Sequence, residues 1–178
     1  LGLLRDVAYG PDPPPKLQRF LEDDRLAIRL ADGRNALLRD PERYDLIEMD
    51  ALYPSSPYSG NLYSLEFYQL CASRLRPGGF MCTWAPTSRV HASFLAAFPH
   101  VLELDEGRIL VGSADPIPID VTAWQARLTA PAAVAYLGMP RVNEMLELLR
   151  RARPAVRRPI GPDDLNHDLF PRDELNTP

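Results

Sequence analysis

The feature that most constrains this chain is an alternation of short apolar runs with helical patterns, punctuated by aspartates and proline-glycine turns. Leu26, Ile28 and Leu30 alternate with Ala27 and Arg29, which predicts a strand over residues 26–31 ending at Asp32-Gly33. Residues 34–39 read as a brief helix closed by Asp40-Pro41, and residues 44–49 predict a second apolar strand ending at Asp50. A loop from Ala51 to Asn61 follows. Ser64 is then placed to cap a helix that carries Leu65, Tyr68, Cys71, Ala72 and Leu75 at helical spacing. Glu66 falls in its first turn, where the helix dipole favours an anion. Pro77-Gly78-Gly79 stops that helix, residues 80–84 predict a third strand, and Thr87 or Ser88 can cap a further helix with Val90, Phe94, Leu95 and Phe98 on one face. Residues 101–104 and 108–111, joined by Asp105-Glu106-Gly107, predict a hairpin. Strands that alternate with helices imply a mostly parallel α/β sheet, and the hairpin is expected to add one antiparallel strand at its edge.

Beyond the hairpin, residues 120–128, 132–137 and 141–153 read as helices, the last with Val142, Met145, Leu146 and Leu149 in one stripe. The tail from Pro154 reads as extended, with no role expected beyond packing. At 178 residues and 46% hydrophobic the chain suits one domain, and two would be a squeeze. A formal charge of -4 gives no positive field to recruit nucleic acid or an anionic membrane surface. No apolar run approaches the ~18 to 20 residues of a membrane helix, so the expectation is a cytoplasmic protein. Cys71 and Cys82 lack the spacing of a disulfide framework or zinc site and read as buried small hydrophobes. Leu1, Leu3, Leu4 and Val7 look like the end of a helix whose beginning is absent, which suggests an N-terminally incomplete domain.

In open parallel α/β sheets ligands bind at the carboxyl ends of the strands, which singles out Asp32, Asp50 and the loop 51–61. Each carboxylate could accept hydrogen bonds from a ligand amine or take a proton as a base; each could equally be an Asx turn residue ending its strand. Tyr53 and Tyr63 could line a substrate pocket, with packing favoured for Tyr63, while Tyr58 reads as solvent-facing. Trp84 reads as core in preference to a stacking platform. His91, His100 and His167 have no partner at metal or triad spacing, and no metal site is expected. Glu48 reads as a polar residue paired near the sheet end, with a ligand role as the alternative. The arginines from 150 to 158 read as a solvated helix end.

Four stretches, in order, carry a resemblance: Leu30-Ala-Asp-Gly-Arg-Asn-Ala-Leu-Leu38, Tyr44-Asp-Leu-Ile-Glu-Met-Asp50, Gly60-Asn-Leu-Tyr-Ser-Leu-Glu-Phe-Tyr68 and Leu75-Arg-Pro-Gly-Gly79. Together with the closing Asn-Thr-Pro they resemble the spermidine synthase family, the polyamine aminopropyltransferases. The resemblance implies a Rossmann-like class I S-adenosylmethionine-dependent methyltransferase fold, N-terminally incomplete. Residues 1–115 would be the C-terminal part of the nucleoside-binding catalytic domain, and 116–178 a helical extension and tail packed on it. It also implies transfer of an aminopropyl group from decarboxylated S-adenosylmethionine to an amine such as putrescine, with no metal. Asp32 would hold the adenine end with Gly33 allowing close approach; Asp50 would be the catalytic base beside the donor, and Tyr53, Tyr63 and Glu48 candidates for the amine. The family's second acid, three residues after the catalytic aspartate, is here Tyr53. Methyl transfer from S-adenosylmethionine to a small acceptor, or nucleoside binding without catalysis, are the alternatives. Dimers are common in the resembling family, so a homodimer is the assembly the analogy suggests.

Overall fold

The structure, a computed structural model, describes residues 6–12 and 14–175. The expectations for Leu1, Leu3, Leu4 and the closing residues 176–178 lie outside the described residues; Val7 sits in a helical turn over residues 6–8. The chain divides into two compact units, Leu1–Arg39 and Asp40–Pro178.

In the first unit, α1 (Pro15–Leu21) starts with proline in its first turn, where the missing N–H costs nothing. The expected strand over 26–31 does not form: residues 26–30 carry no ladder, and no strand among the described residues pairs with them. Alternation alone cannot make a strand, because an extended backbone must hand its N–H and C=O groups to a neighbour. Ile28 and Leu30 are accordingly exposed. α2 (Gly33–Arg39) follows at once, its first turn held by Asp32, whose Oδ1 accepts from the Asn35 amide at 2.7 Å.

The second unit is built on one five-stranded sheet. β1 (Tyr44–Met49) and β2 (Leu75–Trp84) run parallel, as strands joined through a helix can. The connection contains α3 (Leu65–Arg74), capped by Ser64, whose hydroxyl accepts from the Phe67 amide at 3.1 Å. Pro77-Gly78-Gly79 forms an irregular start to β2, with Gly78 at φ +73°, before the regular ladder sets in opposite Leu46. α4 (Ser88–Ala97) is capped in the same way, Thr87 accepting from the Val90 amide at 3.1 Å. β3 (His100–Leu104) and β4 (Ile109–Ser113) form the expected hairpin through a tight turn at Asp105–Gly107. β5 (Arg153–Pro154) adds two residues. The order is β1-β2-β4-β3-β5.

The antiparallel strand therefore lies inside the sheet, not at its edge. β4 inserts between β2 and β3, so the hairpin folds back and both of its ladder edges are used. The sheet is mixed; the rim beyond β3 is taken by β5, also antiparallel.

Register sorts the side chains. Met81, Thr83 and Leu110 lie on the face covered by α3 and α4, where Tyr68, Cys71, Val90, Phe94 and Phe98 complete a dry core. Gly112 is required there, since a Cβ would stand 2.6 Å from the Phe98 ring and 2.8 Å from the Phe94 ring. Phe80, Cys82 and Trp84 alternate onto the opposite face and are only half-buried. Cys71 is thus the buried thiol expected, and Cys82 is not.

Three further helices, α5 (Val121–Leu128), α6 (Pro131–Leu137) and α7 (Met139–Arg150), pack on one another. α7 buries Val142 and Leu146 from its expected stripe. Arg157, beyond them, donates to the carbonyls of Leu95, Phe98 and Pro99 and so satisfies the open C-terminal end of α4.

Candidate active site at the strand ends

Asp50 follows directly on β1, and Trp84 ends β2. Between these ends and the start of β4 lies a cavity of about 360 Å³ lined by Glu48, Met49, Asp50, Cys82, Thr83, Trp84 and Ile109. Glu48 and Asp50 stand two residues apart and so share one side of the chain, with Glu48 opposite Cys82 in the ladder. Both carboxylates are exposed, and neither has a hydrogen-bond or ion-pair partner among the described residues. Glu48 is therefore not the paired residue expected of a sheet-end acid. Burial pushes the Cys82 thiol up, and the negative charge of Glu48 adds to that, so Cys82 stays protonated at neutral pH and is a wall and not a nucleophile.

The loop after Asp50 is held by its own side chains. Tyr63 is fully buried and its hydroxyl donates to the Leu52 carbonyl at 2.9 Å. Burial, with the charge of Asp50 behind it, pushes that hydroxyl up to about 12. Ser59 donates to the carbonyls of Tyr53 and Ser56, each at 2.7 Å. Tyr53 is half-exposed and meets Trp84 edge to face, ring centroids 5.2 Å apart at 80°. Trp84 is thus a cavity wall instead of the core residue expected. Tyr58 points into solvent, 91% exposed, from a backbone at φ +67°.

In the first unit Asp32 sits beside a recess it shares with Ala31, Asn35, Ala36 and Arg39. One of its oxygens is engaged with the Asn35 amide, and a Cβ built on Gly33 meets nothing within 4 Å.

Two histidines have partners that spacing concealed. His91 Nε2 lies 3.0 Å from Glu103, a buried carboxylate whose other oxygen accepts from Arg153 Nε at 2.9 Å. His167 Nδ1 lies 2.8 Å from Glu66. Among the described residues no group of three or more His, Cys, Asp or Glu could hold a metal ion, and no helix is long and apolar enough to cross a membrane.

A mixed sheet with acidic residues at the carboxyl end of its leading strand, followed by a tyrosine-rich loop, defines an α/β domain with an acidic recess at its strand ends. Residues 13–97 match the spermine/spermidine synthase domain, and through that segment the chain is similar to the spermidine synthase family. Among curated relatives, a polyamine aminopropyltransferase of Nitrosomonas europaea is 31% identical over 65% of this chain and 41% of its own length. A spermidine synthase of Coffea arabica is 37% identical over 90% of this chain and 42% of its own. Polyamine aminopropyltransferase 2 of Pseudomonas aeruginosa is 41% identical over 64 residues, 35% of this chain and 18% of its own. The chain spans less than half the length of each. A solved structure titled a probable spermidine synthase from Corynebacterium glutamicum aligns at 20% identity with a TM-score of 0.48, covering 83% of this chain and 62% of that one.

Proposed function

We propose that the cavity at the ends of β1 and β2 is the acceptor side of an aminopropyltransferase, with Asp50 as general base. The observation that carries this reading is the placement, on one side of the chain, of two carboxylates, Glu48 and Asp50, that have no hydrogen-bond or ion-pair partner among the described residues. An amine that attacks a carbon next to a sulfonium must first be neutral. A carboxylate at Asp50 accepts the N–H proton and aims the lone pair, the nitrogen–carbon bond forms, and the carbon–sulfur bond breaks with its electron pair going to sulfur. Decarboxylated S-adenosylmethionine would supply the sulfonium leaving group and depart as methylthioadenosine. Glu48 would hold an ammonium, in place of the acid that Tyr53 replaces. By the resemblance alone, Asp32 of the first unit would hold an adenine amino group, one of its oxygens standing free of the Asn35 amide and open space lying over Gly33. Tyr63 would serve as the loop's anchor, and the half-exposed Tyr53 would meet the acceptor.

Methyl transfer from S-adenosylmethionine is the second reading, favoured by one observation: Tyr53 and Trp84 give the cavity an aromatic wall where the family has an acid. The division at residues 115 and 116 belongs to the same proposal, supported by the mutual packing of α5, α6 and α7. A homodimer rests on the resemblance alone, and a cytoplasmic location stands as an expectation from the sequence.

A thermal-shift titration with methylthioadenosine beside S-adenosylmethionine tests the reading. At ~100 times its dissociation constant a ligand adds ~2.7 kcal/mol, a rise on the order of 5 to 10 °C for a domain of this size. A larger rise with methylthioadenosine is expected; the reverse order favours the methyltransferase. A shift without turnover of either donor would mark a nucleoside-binding domain.

A further inference from the structure

The C-terminal segment 165–174 is expected from the sequence to do no more than pack, yet it makes polar contacts across more than a hundred residues of the second unit. It crosses the N-terminal ends of the two helices that follow β1 and β2. Asn166 is fully buried: its carbonyl accepts from Leu65, its amide donates to Ser93, and its side chain donates to Asp173. Ser64 donates to Asp168 at 2.5 Å while accepting from α3, and Thr87 donates to Asp173 at 2.5 Å while accepting from α4. Each capping hydroxyl is thus oriented by an acid of the tail, and both acids sit where helix dipoles favour them.

The last contact reaches the site. The Glu174 carboxylate accepts from the amides of Tyr58 and Gly60, each at 2.8 Å, across more than a hundred residues of sequence. The fit is tight: a Cβ on Gly60 would stand 2.4 Å from Pro171 and 2.6 Å from the Glu174 carboxylate. Between those two amides lies Ser59, whose hydroxyl holds the Tyr53 carbonyl, and the Tyr53 ring stands against Trp84 on the cavity wall. An unbroken series of contacts therefore runs from Glu174 to the cavity. It also fixes Tyr58 in its left-handed conformation, which a tyrosine adopts only where its surroundings hold it.

We propose that the tail sets the conformation of the loop after Asp50, and that Glu174 is the positioning residue which aligns the Tyr53–Trp84 wall for the acceptor. This rests on the reading of the cavity as the acceptor site. Glu174 itself touches no reacting atom, so its removal should weaken acceptor binding more than it slows the chemical step.

The test compares the full chain with Glu174→Ala and Glu174→Gln, by amide hydrogen exchange and by aminopropyl-transfer kinetics with putrescine. Bonds to a charged acceptor are worth about tenfold or more, so in Glu174→Ala the Tyr58 and Gly60 amides should exchange about tenfold faster, with α7 unchanged. The acceptor KM should rise about tenfold while kcat changes less than about twofold, and Glu174→Gln, which keeps one acceptor oxygen, should fall between. Gly60→Ala, which pushes the tail away, should reproduce the Glu174→Ala pattern. Unchanged exchange at Tyr58 and Gly60 overturns the proposal whatever the activity. Faster exchange with an unchanged acceptor KM overturns the positioning role. A wild-type chain with slow exchange at these amides but no transfer to putrescine overturns the reading of the site, and the positioning role with it.

Discussion

The two faces of the sheet differ in what holds them. On one, Met81, Thr83 and Leu110 lie under α3 and α4 among aromatic rings in direct contact: Tyr68 against Phe94 at 5.1 Å and Phe94 against Phe98 at 4.7 Å. On the other, Phe80, Cys82 and Trp84 are half-buried, and Leu46 and Glu48 beside them are exposed. Burial of apolar surface stabilises the fold, and a group that must meet a ligand has to stay out of it. The covered face therefore specifies the domain, and the open face holds the carboxylates.

That contrast can be broken by substitution. Phe94→Ala removes a fully buried ring and should cost about 3 to 5 kcal/mol, whereas Cys82→Ala on the open face should cost about 1 kcal/mol. Urea denaturation of both variants gives the comparison, and equal losses would erase the distinction between the faces. Thr87→Ala, at the boundary where α4 begins, should cost about 1 kcal/mol through the lost cap. A similar loss in Asp173→Ala, which removes the acid that orients Thr87, would show that the two act together; a double-mutant cycle measures it.

The smallest effect concerns pH. Burial raises the Glu66 carboxyl, but its bonds to His167, to its own amide and to the Asp168 amide outweigh that, and the group is held below its usual value. A depressed acid adds stability above its unfolded pKa and loses it as pH falls through the folded one. Thermal melts from pH 7 down to below pH 4 should therefore lose more stability in wild type than in Glu66→Gln. Parallel curves would detach the tail from α3.

Much of the second unit was legible in the sequence. β1 has the expected bounds, Ser64 and Thr87 cap the helices they were expected to cap, and the hairpin closes where Asp105-Glu106-Gly107 places it. These features are local, written in period and capping chemistry. The failures are all non-local. The stretch 26–31 has the alternation of a strand but no pairing partner among the described residues, and the place of β4 inside the sheet depends on which edge the hairpin joins. Glu174 meets Tyr58 and Gly60 across more than a hundred residues of sequence, and no short motif announces it. At the site, strand-end position picked out Asp50, while the exposure of Glu48 and the turn of Trp84 toward the cavity needed the register of β1 on β2.

The most direct test of the central claim, that the open face works and the covered face folds, is Asp50→Asn assayed for stability and transfer together. Asp50 is exposed and has no bonding partner among the described residues, so the melting temperature should move by less than about 2 °C, as for a surface change. Loss of the base should lower aminopropyl transfer by about 10² to 10⁴-fold, with methylthioadenosine binding retained. Transfer undiminished in Asp50→Asn, with the protein folded as before, would contradict the account.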